Sequence, residues 1–238
     1  MKIGILQCDH VLEQFQPTFG DYAEMIVTLF AKVSTACRFE VYQVQDFEYP
    51  QDINECDAYI TTGSRYGVND EYEWIKRLEA FICELDQAKK PFVGICFGHQ
   101  LMAKALGGVV EKSDKGWGVG VSFNQVVDTK SWMKPYQEKL NLVASHQDQV
   151  VRLPKSKKID VLVSSAFCPY FMLAYDEHFI SVQGHPEFSK KYSAALMDFR
   201  RKIIPSERLQ KGEKSLQSDV DDQIVARWIV NFIAAKMS

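Results

Sequence analysis

The stretch Pro91-Phe-Val-Gly94-Ile-Cys96-Phe-Gly98-His-Gln100 constrains this chain more than any other, because it leaves the backbone one plausible path. Phe92 to Ile95 is an apolar run of the length of a buried strand, and Leu101, Met102, Ala103, Ala105 and Leu106 give the next residues helical character. A strand that passes directly into a helix must turn sharply, and glycines two before and two after Cys96 make room for the turn. Gly-x-Cys-x-Gly has the spacing of a nucleophile elbow, which exposes its central side chain at the carboxyl edge of a sheet. A thiol there faces the positive end of the following helix, which favours the thiolate. The plainer alternative is a core cysteine that happens to follow a strand. It would require Gly94, Gly98 and Gln100, an amide suited to substrate binding, to fall where they do by coincidence.

A base is available in Phe179-Ile-Ser-Val-Gln183-Gly184-His185-Pro186-Glu187, where an apolar strand ends in histidine, proline and a carboxylate. Proline biases the preceding residue toward extended backbone, so residues i and i+2 point to the same side and Glu187 can lie beside the His185 ring. A carboxylate so placed orients the imidazole and stabilises its protonated form. Cys96, His185 and Glu187 are therefore the candidate catalytic residues. His99 and His146 invite a metal reading, but no His-x-x-x-His, His/Cys cluster or paired carboxylate set surrounds them. Packing behind the site is predicted for both, with no metal and no cofactor. His10 and His178 read as surface loop residues.

With these segments in hand, the chain resembles the class I glutamine amidotransferases, whose glutaminase domain uses a Cys-His-Glu triad. Thr61-Thr-Gly63-Ser64-Arg-Tyr resembles the oxyanion loop of that family, Gly116-Trp117-Gly118 its mid-domain turn, and Ala144-Ser145-His146-Gln-Asp148-Gln-Val150 its second glutamine-binding strand. The nearest likeness is to stand-alone GMP-synthase-like and plant γ-glutamyl peptidase groups, through Gly63 to Tyr66, Ile95 to Gln100, Gln183 to Glu187 and a late helix carrying Trp228. The resemblance implies hydrolysis of the γ-amide of glutamine through a cysteine thioester. It also implies backbone oxyanion donors at Phe97 and Gly63, with Ser64 in the same loop. Gln100 and the backbone of Ser145 and His146 would then hold the α-amino and α-carboxylate ends of the substrate. Three readings stay open: a glutaminase subunit for a separate synthase, a free-standing γ-glutamyl peptide hydrolase, and a non-catalytic module, which the complete triad disfavours. A rival Cys-His α/β family places histidine directly after the elbow cysteine, where this chain has Phe97.

Strand and helix patterns alternate along the first half, as in a mainly parallel sheet wrapped on both faces. Expected elements are strands at 2–7, 39–45, 58–62 and 92–95, with helices at 21–34 and 70–89. After Val109 the chain turns β-rich, with strands expected at 118–127, 142–145, 161–165, 171–175 and 179–183. Residues 205–218 read as an exposed polar connection. Residues 219–236 read as an extra C-terminal helix capped by Ser218. The fold class expected is α/β and flavodoxin-like, one domain over residues 1–238. At 46% hydrophobic and 25% charged residues, a chain of 238 can bury a core of that size. A net charge of −3 without a basic patch argues against nucleic acid, and no apolar run reaches membrane-spanning length. Six cysteines without a Cys-x-x-Cys pair suit a reducing, cytoplasmic setting.

Overall fold

The computed structural model describes residues 1–237. Five strands carry the site: β1 (Lys2–Gln7), β2 (Arg38–Gln43), β3 (Ala58–Thr61), β4 (Phe92–Ile95) and, much later in the chain, β11 (Phe179–Val182). They run parallel, in the order β2-β1-β3-β4-β11. Strand side chains alternate between faces. Ile3, Ile5, Ile60, Val93, Ile95, Ile180 and Val182 accordingly enter one core, while Leu6, Tyr59, Phe92 and Phe179 enter the other. The first core is covered by α2 (Tyr22–Ala31) and the C-terminal α7 (Asp222–Ala234), and the second by α3 (Glu73–Gln87) and α4 (Phe97–Ala105). A short α1 (Gln16–Phe19) precedes α2.

Beyond β11 the sheet changes direction. It continues antiparallel through β10 (Met172–Tyr175), β9 (Ile159–Ser164), β6 (Gly118–Val126) and β7 (Lys139–His146), giving nine strands in all among the described residues. The sheet is thus mixed, with a parallel core, and the α/β class holds. A separate antiparallel pair, β5 (Val109–Lys112) with β8 (Asp148–Arg152), divides the strand expected over 144–150, whose first residues belong to β7 and whose last belong to β8, and the strand foreseen at 142–145 extends over the whole of β7.

Two further helices follow β11, namely α5 (Lys190–Phe199) and α6 (Ser206–Ser215). The second corrects the reading of 205–218 as a connection. Its apolar signal is weak because only Leu209 and Gly212 are buried. It docks by backbone approach instead. A Cβ on Gly120 of β6 would stand 2.7 Å from the Gly212 Cα, and Ser215 Oγ accepts from the Val121 N–H at 2.8 Å. Ser218 does not cap α7, whose N-cap is Asp221. His178 is a second correction, being 7% exposed rather than a surface residue. Its Nε2 lies 3.0 Å from Asp86, which also pairs with Lys157 at 2.7 Å. No helix among the described residues is long and apolar enough to cross a membrane.

Candidate active site

Cys96 lies between β4 and α4 with φ 48° and ψ −94°, a region that side-chain-bearing residues rarely occupy. Neighbouring contacts hold the strained backbone in place. The Cys96 N–H donates to Val182 O at 2.9 Å and the Gln100 N–H to Cys96 O at 3.1 Å. Both flanking glycines are needed for this turn. A Cβ on Gly94 would meet the Gly98 carbonyl at 2.7 Å, and one on Gly98 would land on the Thr61 hydroxyl, which accepts the Ile95 N–H at 3.1 Å.

His185 follows β11, the neighbour of β4, and its N–H donates to Val143 O at 2.8 Å. The His185 side chain stands beside Cys96, both lying against Gly63, and its Nδ1 is 2.7 Å from Glu187 Oε1. The three side chains named from sequence are therefore brought together at one place. His185 is 4% exposed. Burial alone would lower its pKa, but the charges of Cys96 and Glu187 outweigh burial and raise it to about 10. The neighbouring imidazoles go the other way. Burial takes His99 down to about 3, with Nδ1 bonded to Ser181 Oγ at 2.8 Å. It takes His146 down to about 4, against the pull of the Asp148 carbonyl and with the His185 charge adding to the fall. Positive charge among the three histidines is thus concentrated on His185.

A cavity of about 150 Å³ opens over Cys96, and the predicted Ser64, Phe97, Gln100, Ser145 and His146 all line it. Gly63 is beside it: a Cβ there would press on His185 Cε1 at 2.8 Å and stand 3.9 Å from Cys96 Cβ. Phe97 is the first residue of α4, whose leading N–H groups lack intrahelical partners. Gln100 Nε2 donates to Asp148 O at 2.8 Å and Gln183 Oε1 at 3.1 Å, which commits both of its hydrogens. Gln183 Nε2 reaches Cys96 Sγ at 3.6 Å.

Sequence reasoning passed over three lining or supporting groups. Asp9, 4% exposed, accepts both the N–H and Nε of Arg65 at 2.8 Å and so ties the Gly63–Arg65 loop to the end of β1. Arg200, just past α5, lines the cavity, donates to Ser145 Oγ at 2.8 Å and sits 5.6 Å above the Trp117 ring. No carboxylate pairs with it among the described residues. Within the run Arg200-Arg201-Lys202 it reads as a solvated helix end, and nothing local marks it. Phe188 stacks on His185, a contact that the motif His-Pro-Glu does not contain.

Residues 19–202 match the family model "Glutamine amidotransferase class-I", and the chain belongs to that family. It is 27% identical to γ-glutamyl peptidase 3 of Arabidopsis thaliana over 92% of this chain and 89% of that one. It is 34% identical to the glutamine-hydrolyzing GMP synthase subunit of Saccharolobus solfataricus over 58% of this chain and 70% of the relative. A glutamine amidotransferase of Thermotoga maritima superposes with a TM-score of 0.72 at 20% identity, covering 100% of this chain and 97% of the other.

Proposed function

We propose that the chain hydrolyses the γ-amide of glutamine, with Cys96 as nucleophile, His185 as general base and acid, and Glu187 as the group that orients His185. The reading is carried by one observation: a cysteine on a positive-φ elbow stands beside an imidazole whose Nδ1 lies 2.7 Å from a buried carboxylate. His185 Nε2 takes the Sγ proton, and the thiolate attacks the side-chain carbonyl carbon. The N–H groups of Gly63 and Phe97 receive the oxyanion, a kind of donor worth about a hundredfold or more in rate each. The carbon–nitrogen bond then breaks as His185 returns its proton to the departing ammonia. Water, deprotonated by the same imidazole, cleaves the γ-glutamyl thioester to glutamate and free thiol. Gln100, with both Nε2 hydrogens committed, offers Oε1 to the α-ammonium. The backbone at Ser145 and His146 and the Ser64 hydroxyl serve the α-carboxylate.

Two observations favour a second substrate, a γ-glutamyl peptide whose leaving amine carries its own carboxylate. Arg65 and Arg200 line one cavity, more positive charge than a single α-carboxylate requires, and only Arg65 has an acidic partner, Asp9. The similarity to the γ-glutamyl peptidase also runs over far more of the chain than the similarity to the synthase subunit. As a glutaminase the chain would supply ammonia to a separate synthase; as a peptidase it would act alone. Either reading suits a cytoplasmic enzyme without a cofactor.

A glutamine analogue with an electrophile at the side-chain carbonyl tests the assignment. Burial pushes the thiols of Cys8, Cys56, Cys83 and Cys168 up, and Cys37 lies outside the cavity over Cys96, so modification should fall on Cys96. Peptide mass mapping that finds Cys96 unmodified overturns the site. With the same preparation, glutamate release from a γ-glutamyl dipeptide at least as fast as from glutamine selects the peptidase. Slow glutamine turnover that rises when a partner is added selects the synthase-linked glutaminase.

A further inference from the structure

Glu187 fixes the His185 ring within its own plane, through one hydrogen bond along that plane. The bond does little to fix tilt, since a ring can rock about the Nδ1···Oε1 line while keeping it. The tilt matters, because Nε2 has to meet the Cys96 sulfur first and the leaving nitrogen afterwards. A second restraint lies against the face of the ring. Phe188 stacks on His185 with centroids 3.9 Å apart and planes 11° from parallel.

Phe188 is itself held by two further rings. Tyr22 stacks on it at 5.8 Å and 15°, and Tyr192 packs edge-on at 4.7 Å and 86°. The hydroxyls of Tyr22 and Tyr192 are 3.1 Å apart, linking α2 to α5 across 170 residues of chain. Each tyrosine stands in the first turn of a capped helix: Asp21 accepts from the Tyr22 N–H at 2.9 Å and Ser189 Oγ from the Tyr192 N–H at 3.1 Å. Val11, Met25, Val143 and Leu196 close the same cluster. The Phe188 ring is therefore a wall supported by two helices.

We propose that Phe188 is a positioning residue for the hydrolysis, its ring face setting the tilt of His185 and supporting the positive charge that His185 carries between its two proton transfers. The electron-rich face of an aromatic ring attracts a cation placed over it, most strongly where water is excluded. At 4% exposure for His185 and 5% for Phe188, water is excluded here. The other ionisable groups that bear on His185 are Cys96, Glu187 and His146, with Tyr22 and Tyr192 behind Phe188 and Asp9 and Arg200 acting on those tyrosines. None of these is altered by exchanging Phe188 for another apolar side chain.

The proposal rests on Cys96 and His185 acting as described above, and its test separates the two. Phe188→Met keeps an apolar side chain of similar length without a ring; Phe188→Tyr keeps the ring. In Phe188→Met, kcat should fall about tenfold or more with KM changed less than about twofold, because tilt is lost while substrate contacts remain. The alkaline limb of its kcat profile should move down by about half a pH unit or more, since the imidazolium loses its support. Phe188→Tyr should restore both. Pentafluorophenylalanine at 188 keeps the shape and inverts the ring's electrostatics, so it covers the case in which Phe188→Met does not fold. It should reproduce the pH displacement. Wild-type kcat and pH limb in folded Phe188→Met, or an undisplaced limb with the fluorinated ring, overturns the proposal. Turnover surviving in Cys96→Ala would overturn the underlying mechanism instead.

Discussion

Strand β11 has a buried histidine beyond each end, and each sits against a carboxylate. His178 precedes the strand, 3.0 Å from Asp86; His185 follows it, 2.7 Å from Glu187. The pairs look alike and their surroundings do not. Asp86 also holds Lys157 at 2.7 Å, and Lys157 reaches Asp176 at 3.3 Å, so that end of the strand closes a small ionic network. Glu187, its side chain fully buried, pairs with no lysine or arginine among the described residues and spends its charge on one imidazole. That imidazole faces a thiol and a cavity. A histidine–carboxylate contact therefore does not define chemistry by itself. On the mechanism proposed above, it serves as a proton relay only where the carboxylate is undivided and the far nitrogen has a reacting partner.

The sharpest way to break this contrast is Cys96→Ala. Hydrolysis of glutamine and of γ-glutamyl dipeptides should disappear, since only the nucleophile is lost, and circular dichroism should be unchanged. Near-normal turnover would place the chemistry elsewhere. Next comes Glu187→Gln, expected to lower kcat by about two orders of magnitude while the chain still folds.

The same substitution carries a pH signature. His185 has its pKa raised in the folded state by Cys96 and Glu187, to about 10, so the native protein binds its proton more tightly than the unfolded chain does. The resulting stability is fully present below the ordinary histidine value near 6.5 and is lost as pH rises toward 10. The Tm difference between wild type and Glu187→Gln should therefore be largest at pH 6 and shrink by pH 10. A difference that grows with pH would contradict the charge assignment.

A smaller effect is expected at the cavity rim. Arg200→Gln should raise KM about tenfold for a γ-glutamyl dipeptide, in line with loss of one charge-assisted hydrogen bond, and much less for glutamine. Equal increases for both substrates would assign Arg200 to the α-carboxylate they share. Smallest in activity is Asp86→Asn at the far end of β11, which should leave kcat within about twofold and lower stability by about 1–2 kcal/mol. Stability here is read from urea unfolding. A large loss of activity would mean the two ends are coupled through the strand.

What the sequence made legible was whatever the chain writes locally. The elbow at Cys96, the extended bias before Pro186 and the apolar runs of β1, β3 and β4 are rules of adjacent residues, and the structure places the elbow and these strands within a residue or two of expectation. The contacts of Arg200 with Trp117 and of Phe188 with Tyr22 join residues far apart in the chain, and no periodicity announces them. The helix α6 was missed for a different reason. Its docking rests on Gly212 against Gly120, where closeness comes from the absence of side chains rather than from an apolar stripe. His178 was misplaced because a histidine between Glu177 and a strand reads as a turn, whereas its partners Asp86 and Lys157 arrive from α3 and the segment before β9.

The separation of Cys96 and His185 is set by a ruler that no side chain composes. Ile95 and Val182 face each other in the ladder between β4 and β11, and the next rung is the Cys96 N–H on Val182 O. Neighbouring strands stand about 4.8 Å apart whatever their residues. Residues of the cores, rims and helices can thus change without altering this interval. A register slip of one residue between β4 and β11 would accordingly part Cys96 from His185 with every side chain unchanged.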